Sequence, residues 1–245
     1  MAAAAAPESS NLNTISKRFN LEVTMSGRCI MMCAGKYHPM EIRIRPDDFV
    51  IAVDGGLSGL IRQGIRPDFL LGDFDSLRPG DTEIMKRYRE MGESSFLQLP
   101  VEKDDTDTMA AAKLGIEKGY TEFLIYGGLG ARLDHTMANI QTLAWILRHG
   151  GQGWLLDRET SVTVIGEGRF VIPESFEGTV SLFSLDTELR DVSIRGMKYN
   201  LENAAVRNDF PLGCSNETLP GIQGEIEIGA GTALIVMVDG LINHH

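Results

Sequence analysis

The sequence predicts an α/β fold in two parts: an N-terminal doubly wound, mostly parallel sheet with helices on both faces, and a C-terminal all-β sandwich. Short apolar runs alternate with helical stretches in the first part, which is typical of a parallel sheet with right-handed crossovers. After about residue 157 similar runs follow one another with no convincing helix between them. We therefore expect an α/β domain at 27–156 and a sandwich domain at 157–245. A lead at 1–26, rich in Ala, Ser and Asn, is expected to be disordered or an expression remnant.

Six apolar runs, most of them ending in Gly or Asp, are predicted to be the strands of the first part. In chain order they are CIMMCAG, FVIAVDGG, FLLGDFDS, SFLQLP, EFLIYGGLG and GWLLD. Four helical stretches follow the second to fifth runs: GLSGLIRQGI, DTEIMKRYREMG, DTMAAAKLGIEKG and DHTMANIQTLAWILRHGG. In the last stretch Ile140, Leu143, Ala144 and Leu147 recur at helical spacing, and Gly150 supplies a stop signal.

The second part is predicted to be antiparallel because its runs are short, rich in β-branched residues and separated by turn signals. These runs are SVTVIG, RFVIP, TVSLFSL, DVSIRG, EIEIGAG and TALIVMVDG. The polar stretch GCSNE at 213–217 lies between Pro211 and Pro220 and is interpreted as a loop.

The composition narrows the classes of partner. The 245 residues include 34 acidic and 23 basic side chains, for a formal charge of -11, and no basic cluster interrupts that balance. Nucleic acid and anionic membranes are therefore not expected as partners. No apolar run reaches the length of a membrane span, and the start lacks a secretory signal. Three cysteines, two of them in an oily run, favour a reducing, cytoplasmic location.

Carboxylates follow several predicted strands, and Asp73 and Asp75 come directly after FLL. If strand geometry persists through Phe74, these two side chains project to the same face. Two like charges at one place favour a hard divalent cation such as Mg²⁺, because carboxylate oxygens are its ligands. The alternative is that both are solvated turn residues. Asp54 and Asp134 also follow strands, at the edge where parallel sheets bind ligands.

Two Gly-rich turns lie between a strand and a helix, although neither matches the common ATPase loop. They are VDGG at 53–56 and YGGLGAR at 126–132. Their backbone N–H groups could cradle phosphates at a helix N-terminus. The alternative is that glycine serves only to make the strand-to-helix turns tight.

The stretch EKDDTDT places Asp104, Asp105 and Asp107 at a predicted helix start. Asp and Thr are common helix caps, but one cap needs one residue. At least one carboxylate is then available to complete a metal site with the GDFDS pair. Lys103 could neutralise part of this charge or contact a phosphate.

The stretch GARLDH offers a cation and a carboxylate close together. Arg132 suits a phosphate oxygen as a bidentate donor. Asp134 either lines the same path or is only the N-cap of a helix that starts at His135. A lone His beside a cap is more often structural, and His135 is left out of the predicted site.

Taken in order, VDGG, PDFLLGDFDS, KDDTDT and GGLGARLDHTMANI resemble the thiamine pyrophosphokinase family, with looser matches at GMKYNL and GCSNE. The matching motifs span roughly residues 50–217. The resemblance implies a magnesium-dependent enzyme that transfers the pyrophosphoryl group of ATP to thiamine, giving thiamine diphosphate and AMP. It also implies a homodimer with sites near the interface. The α/β domain at 27–156 would bind the nucleotide and the metal, and the sandwich domain at 157–245 would contribute to the thiamine site.

Residue roles follow from the same resemblance. The magnesium ligands and catalytic carboxylates would be Asp73, Asp75 and Asp104. The nucleotide and pyrophosphate path would be lined by Asp54, Gly55, Gly56, Asp107, Arg132 and Asp134. The turn of Ser215 and Asn216 would approach the thiamine pyrimidine, and Tyr199 stands where some members carry Trp.

Two other classes of protein fit part of the pattern. A haloacid-dehalogenase-like phosphatase also places D-x-D after a buried strand and uses the first Asp as nucleophile. GARLDH has no role in that scheme, however, and Asp73 follows the third strand and not the first. A non-catalytic thiamine or nucleotide sensor on the same fold is the second alternative, and its expected mark, loss of the carboxylates, is missing here.

Overall fold

The computed structural model describes residues 27–35, 40–74, 79–92, 95–100, 104–130 and 132–240. The predicted lead at 1–26, Asp75 and Lys103 lie outside these described residues.

A ten-stranded sheet forms the centre of the fold, and its first six strands are the six predicted from the sequence. These are β1 (Cys29–Met32), β2 (Phe49–Val53), β3 (Phe69–Gly72), β4 (Phe96–Gln98), β5 (Glu122–Tyr126) and β6 (Gln152–Leu156). They pair in parallel in the order β6-β5-β1-β2-β3-β4. Because parallel strands end at one edge, the carboxylates that follow them gather there.

Four helices connect or follow these strands, close to the predicted positions. They are α1 (Leu57–Arg62), α2 (Thr82–Glu90), α3 (Asp107–Glu117) and α4 (Leu133–Arg148). The last helix ends just before Gly150, which has a positive φ of 81°, as the predicted stop requires. Side chains of α3 and α4 pack on one face of the parallel strands, and side chains of α1 and α2 pack on the other.

Eight antiparallel strands follow in the second half of the chain. They are β7 (Thr160–Ile165), β8 (Gly168–Ile172), β9 (Gly178–Ser184), β10 (Glu188–Arg195), β11 (Leu201–Arg207), β12 (Gly213–Glu217), β13 (Gly224–Ile228) and β14 (Ala233–Asp239). Four of them extend the large sheet in the order β12-β9-β14-β7 beyond β6. The other four form a separate sheet, β11-β10-β13-β8, whose inward side chains share a core with β9 and β14.

The structure corrects the predicted strands of the second half in two places. First, the stretch at 213–217 is an edge strand and not a loop: it pairs with β9, and its register shifts between Gly213 and Asn216. The polar composition of this stretch gave no strand signal in the sequence, because an edge strand needs little apolar surface. Second, β11 was not predicted, since LENAAVR shows no clear apolar alternation.

The predicted boundary between residues 156 and 157 falls where pairing changes from parallel to antiparallel. Hydrogen bonding does not stop there, because β7 pairs with β6 from Trp154 to Leu156. One sheet therefore runs through both predicted domains. Within the described residues, no helix has the length and apolar character needed to cross a membrane.

Candidate active site

Three carboxylates from separate parts of the chain converge at the carboxyl end of the parallel strands. Asp54 follows β2, Asp73 follows β3, and Asp107 begins α3. One ligand oxygen from each lies within 4.8 Å of the others. The Oδ1 atoms of Asp54 and Asp107 are shielded from solvent. We call these three residues the carboxyl-end cluster.

Strand register explains why Asp54 and Asp73 meet. Val53 pairs with Leu71, so Asp54, the first residue after β2, lies beside Gly72. A Cβ on Gly72 would stand only 2.9 Å from the Asp54 Cα, closer than real Cβ contacts allow. Glycine at this position lets the two backbones touch, and Asp73 follows directly.

The turn after Asp73 differs from the sequence expectation. β3 ends at Gly72, and Phe74 has a φ of 61°, so strand alternation does not continue toward Asp75. The Phe74 ring stacks on Phe96, with centroids 5.1 Å apart. That contact offsets the cost of a left-handed conformation for a bulky residue. The condition for the sequence inference, strand geometry that persists through Phe74, is therefore not met. Asp75 lies outside the described residues, and its role as a metal ligand stays a prediction.

The three carboxylates of the KDDTDT stretch have three different environments. The helix cap is Thr106, whose hydroxyl accepts a hydrogen bond from the Met109 N–H at 3.1 Å. Asp105 pairs with Lys113, with 2.6 Å between Oδ2 and Nζ. Asp107 joins the carboxyl-end cluster, and Asp104 is exposed. Asp104 is not a member of the described cluster, and its role as a metal ligand stays a prediction.

A cavity of about 360 Å³ opens beside the cluster. Its size falls in the range of small-molecule sites. The wall includes two members of the cluster, a Gly-rich turn and the start of α4. The lining residues are Cys33, Ala34, Gly35, Val53, Asp54, Thr106, Asp107, Thr108, Gly127, Gly128, Gly130, Arg132, His135, Ala138 and Asn139.

Three of the four glycines on this wall, Gly127, Gly128 and Gly130, belong to the second Gly-rich turn, YGGLGAR, and the fourth is Gly35. That turn was noted as a possible phosphate cradle but contributed no glycine to the predicted site. Asn139, buried on α4, holds this turn by donating from Nδ2 to the Gly128 carbonyl at 2.8 Å. Gly55 and Gly56, which were predicted to bind the cofactor, lie in a 3₁₀ turn and are not among the lining residues. A Cβ on Gly56 would stand 1.8 Å from the Met32 carbonyl oxygen, which favours the tight-turn interpretation there.

Cys33 is a buried thiol on the cavity wall. Its Sγ lies 3.5 Å from the Thr108 hydroxyl. Burial is the main reason that its pKa rises to about 11, and the negative charges of Asp107 and Asp54 raise it further. This thiol therefore stays protonated near neutral pH and is a poor nucleophile.

Arg132 and Asp134 form an exposed ion pair at the mouth of the cavity, with Nη2 2.6 Å and Nε 3.2 Å from the two carboxylate oxygens. This hydrogen bonding lowers the pKa of Asp134 to about 2. α4 begins at Leu133, and its N-cap residue is Arg132, so Asp134 is not the cap. Arg132 lines the cavity, whereas Asp134 faces the guanidinium from outside it.

Ser215 and Asn216 lie on β12, at the far edge of the sheet. Asn216 is buried, accepts a hydrogen bond from the Tyr199 N–H at 3.0 Å and donates one to the Tyr199 carbonyl at 2.6 Å. Its side chain thus holds the loop that presents Tyr199, which is exposed. Ser215 is exposed and has a φ of 56°.

Ser215 and Asn216 lie at the same end of the sheet's strands as the cavity, but many strands away from it. Strand register runs from Asn216 across four intervening strands to Tyr126 at the end of β5. β12 is seven strand positions from β2. At about 4.8 Å per strand, roughly 34 Å separates it from the Asp54 end of β2.

Two family models match the chain. One, described as the catalytic domain of thiamin pyrophosphokinase, matches residues 42–153, and one described as its vitamin B1 binding domain matches residues 169–232. Together they cover most of the chain.

Curated relatives and solved structures agree with these matches. The thiamine pyrophosphokinase of Bacillus subtilis (strain 168) is 27% identical over 187 residues, covering 76% of this chain and 85% of the relative. Thiamine pyrophosphokinase 1 of Oryza sativa subsp. japonica is 25% identical over 166 residues, covering 64% and 61%.

The crystal structure of thiamine pyrophosphokinase from Bacillus subtilis superposes with a TM-score of 0.75 at 23% identity, over 87% of this chain and 99% of that one. Yeast thiamin pyrophosphokinase gives a TM-score of 0.65 at 15% identity, over 91% and 89%. At these identities the two structures show a shared fold. The family models and the curated relatives favour the kinase over the phosphatase and the sensor. The chain is an enzyme that belongs to the thiamin pyrophosphokinase family.

Proposed function

We propose that this enzyme transfers the pyrophosphoryl group of ATP to the hydroxyethyl oxygen of thiamine, producing thiamine diphosphate and AMP, and that it requires Mg²⁺. The observation that carries the proposal is the convergence of Asp54, Asp73 and Asp107 beside a cavity with a Gly-rich wall. Transfer of a phosphoryl-type group requires the protein mainly to align the reactants and to neutralise the negative charge on the phosphate oxygens.

The carboxyl-end cluster has the donor chemistry that Mg²⁺ needs. Its ligand atoms are hard carboxylate oxygens within 4.8 Å of one another, and their mutual repulsion favours a bound cation. Asp54, Asp73 and Asp107 would hold the ion, with Asp75 and Asp104 as further ligands predicted from the resemblance. When bound, Mg²⁺ would neutralise negative charge on the polyphosphate oxygens.

The rest of the cavity wall supplies contacts for phosphates. Backbone N–H groups of the turn from Gly127 to Gly130 would face the polyphosphate, and Asn139 keeps that turn in place. Arg132 would exchange its carboxylate partner Asp134 for a phosphate oxygen, since its fork binds either group in bidentate fashion.

The reaction requires the protein to accept one proton. The thiamine hydroxyl oxygen attacks the β-phosphorus, the bond from that phosphorus to the oxygen bridging the α-phosphorus breaks, and AMP leaves with that oxygen. The hydroxyl proton passes to a carboxylate, for which Asp73 and Asp104 are the candidates.

We also propose that the working enzyme is a homodimer. If Ser215 and Asn216 contact thiamine, the separation of about 34 Å between β12 and β2 is too long for one thiamine molecule to bridge within a single copy. A second copy would bring its β12 edge to the cavity. Exposed apolar side chains support such a contact at both places: Leu133 on α4 is 78% exposed, and Phe210 before β12 is 62% exposed.

Phosphorus NMR of the protein with ATP, Mg²⁺ and thiamine tests the reaction. We expect resonances of AMP and thiamine diphosphate to grow together without free orthophosphate. Release of orthophosphate, or a spectrum that does not change, would contradict pyrophosphoryl transfer.

Mixing two inactive variants tests the shared site. An Asp73→Asn copy and an Asn216→Ala copy, refolded together in equal amounts, should recover about a quarter of wild-type activity, because half the dimers hold one intact site of two. Tyr199→Ala replaces Asn216→Ala if the latter fails to fold. Absence of recovery from a mixture shown to contain heterodimers would rule out sharing.

A further inference from the structure

A buried carboxylate near the cluster has no part in the proposed chemistry. Asp81 is the N-cap residue of α2, the position at which Asp normally accepts from the first turn of the helix. Its side chain makes no capping hydrogen bond. Asp81 is buried, and its Oδ2 instead accepts a hydrogen bond from the hydroxyl of Ser58.

Ser58 is equally unusual in its own surroundings. It lies in the first turn of α1, where its neighbours Leu57, Gly59 and Leu60 are also buried. A hydroxyl and a carboxylate removed from water cost free energy unless they bond to each other. Asp81 bonds to Ser58 and does not cap α2. We infer that this hydrogen bond serves to join α1 to the turn before α2.

Each of these two segments connects to an element that bears a member of the carboxyl-end cluster. Asp54 is four residues before Ser58, and the 3₁₀ turn at Asp54–Gly56 leads straight into α1. Ser58 and Asp54 are therefore separated by about one helical turn, roughly 5 Å along the helix axis. Asp81 precedes α2, and α2 is fixed to β3: the Tyr88 hydroxyl donates to the Pro67 carbonyl just before that strand, and Tyr88 packs in the same core as Leu70. Asp73 directly follows β3.

We propose that Ser58 and Asp81 are positioning residues that fix the Asp54 segment against the Asp73 segment and so set the spacing of the metal ligands. We name this hydrogen-bonded pair the tether. The proposal rests on the metal site of the proposed function. The tether is expected to act on metal affinity through the spacing of Asp54 and Asp73, without contacting the ion.

Binding of Mn²⁺ alone, followed by electron paramagnetic resonance, tests the tether without any reaction. We expect Asp81→Ala and Ser58→Ala each to weaken Mn²⁺ binding about fivefold to tenfold, and the double variant to be no weaker than the worse single one, because both remove the same contact. Asp81→Asn should recover most of the affinity, since its amide oxygen still accepts from Ser58. Hydrogen exchange in peptides covering 54–60 and 70–74 should quicken in both alanine variants.

The matched control is Asp48→Asn, which removes a buried carboxylate at the opposite end of β2. It should destabilise the protein while leaving Mn²⁺ affinity within twofold of wild type. If the tether variants lose stability but bind Mn²⁺ as the wild type does, the positioning role is overturned.

Failure of the proposed metal site is recognised separately. In that case the wild type binds no Mn²⁺, or Asp73→Asn binds it as tightly as the wild type, and the positioning role falls with the site. Loss of Mn²⁺ binding in Asp73→Asn together with a partial loss in the tether variants supports both.

Discussion

The two ends of the parallel strands use the same residue type in opposite ways. At the amino end, the side chain of Asp48 is fully shielded and receives Nε and Nη2 of Arg28 at 3.0 and 2.5 Å, together with the backbone N–H groups of Arg28 and Arg45. At the carboxyl end, Asp54, Asp73 and Asp107 face one another.

The difference lies in what neutralises the charge. Burial alone would raise the pKa of Asp48, but the Arg28 guanidinium and the two N–H groups bring that pKa below its ordinary value. The amino-end pair is thus complete within the chain and serves stability. The carboxyl-end cluster gathers like charges, an arrangement that a bound cation would relieve. The presence of carboxylates therefore does not distinguish the two ends of the sheet. The sign of the charges beside them does: a guanidinium beside Asp48, and further carboxylates beside Asp54.

The largest expected effect is on turnover in Asp73→Asn. Losing one ligand of the cluster should reduce kcat about 10²–10³-fold, since a catalytic metal contributes several kcal/mol to the transition state. The melting temperature should stay the same or rise, because one repulsive charge is gone. Steady-state kinetics measures the change in kcat, and calorimetry measures the melting temperature. An unchanged kcat would remove Asp73 from the site.

The opposite pattern is expected for Asp48→Asn at the amino end. Leaving Arg28 buried without its carboxylate should cost about 3–5 kcal/mol of unfolding free energy, measured by urea denaturation. kcat in the protein that stays folded should change little. Asp209→Asn, which breaks the exposed pair with Arg207, is the control and should cost less than about 1 kcal/mol. Equal losses in the two variants would mean that burial of the Asp48 pair adds nothing.

Mn²⁺ titration separates the two ligand sets at the carboxyl end. Asp107→Asn should weaken binding about tenfold or more, because Asp107 belongs to the cluster. Asp104→Asn should weaken it less, since its side chain is exposed outside that cluster. A larger loss in Asp104→Asn would instead support the ligand set drawn from the resemblance.

The amino-end pair should also have a defined pH dependence. A carboxyl with a lowered folded pKa stabilises the protein above its unfolded pKa, near 3.8, and that contribution is lost as pH falls through the lower folded value. The difference in unfolding free energy between wild type and Asp48→Asn should therefore be largest at pH 5–7 and shrink toward pH 3. Urea denaturation at several pH values checks this, and a difference that grows on acidification would contradict it.

The smallest effects are expected in thiol labelling, which probes both ends of β1. Cys29 lies near Asp48 and Cys33 near Asp107 and Asp54, and burial raises the pKa of both thiols. Exposed Cys214 should label first. Adding Mg²⁺ should slow labelling of Cys33 severalfold and leave Cys29 nearly unchanged, because only the carboxyl end would gain a ligand. Mass spectrometry of the labelled peptides measures each rate, and equal slowing of both cysteines would speak against a local site.

Much of this protein is determined by the sequence itself. Alternating apolar runs and helices predicted β1 to β6 and the four helices, because burial on both faces leaves a pattern that is local in the chain. The same local pattern placed Asp54, Asp73 and Asp107 after strands, and the ordered motifs indicated the family. The family assignment is confirmed by the matches to its two domain models.

Other features were decided only by the tertiary structure. Which carboxylates meet depends on strand register and on the close approach of Gly72 to Asp54, neither of which is a local property of the chain. The positive φ of Phe74 is offset by its distant partner Phe96, so the strand geometry of β3 does not persist through Phe74. β12 is a strand because β9 offers it hydrogen bonds, although its sequence reads as a loop. The physical reason is common to all three: secondary structure follows from neighbouring residues, whereas a site is assembled from contacts between residues far apart in the sequence.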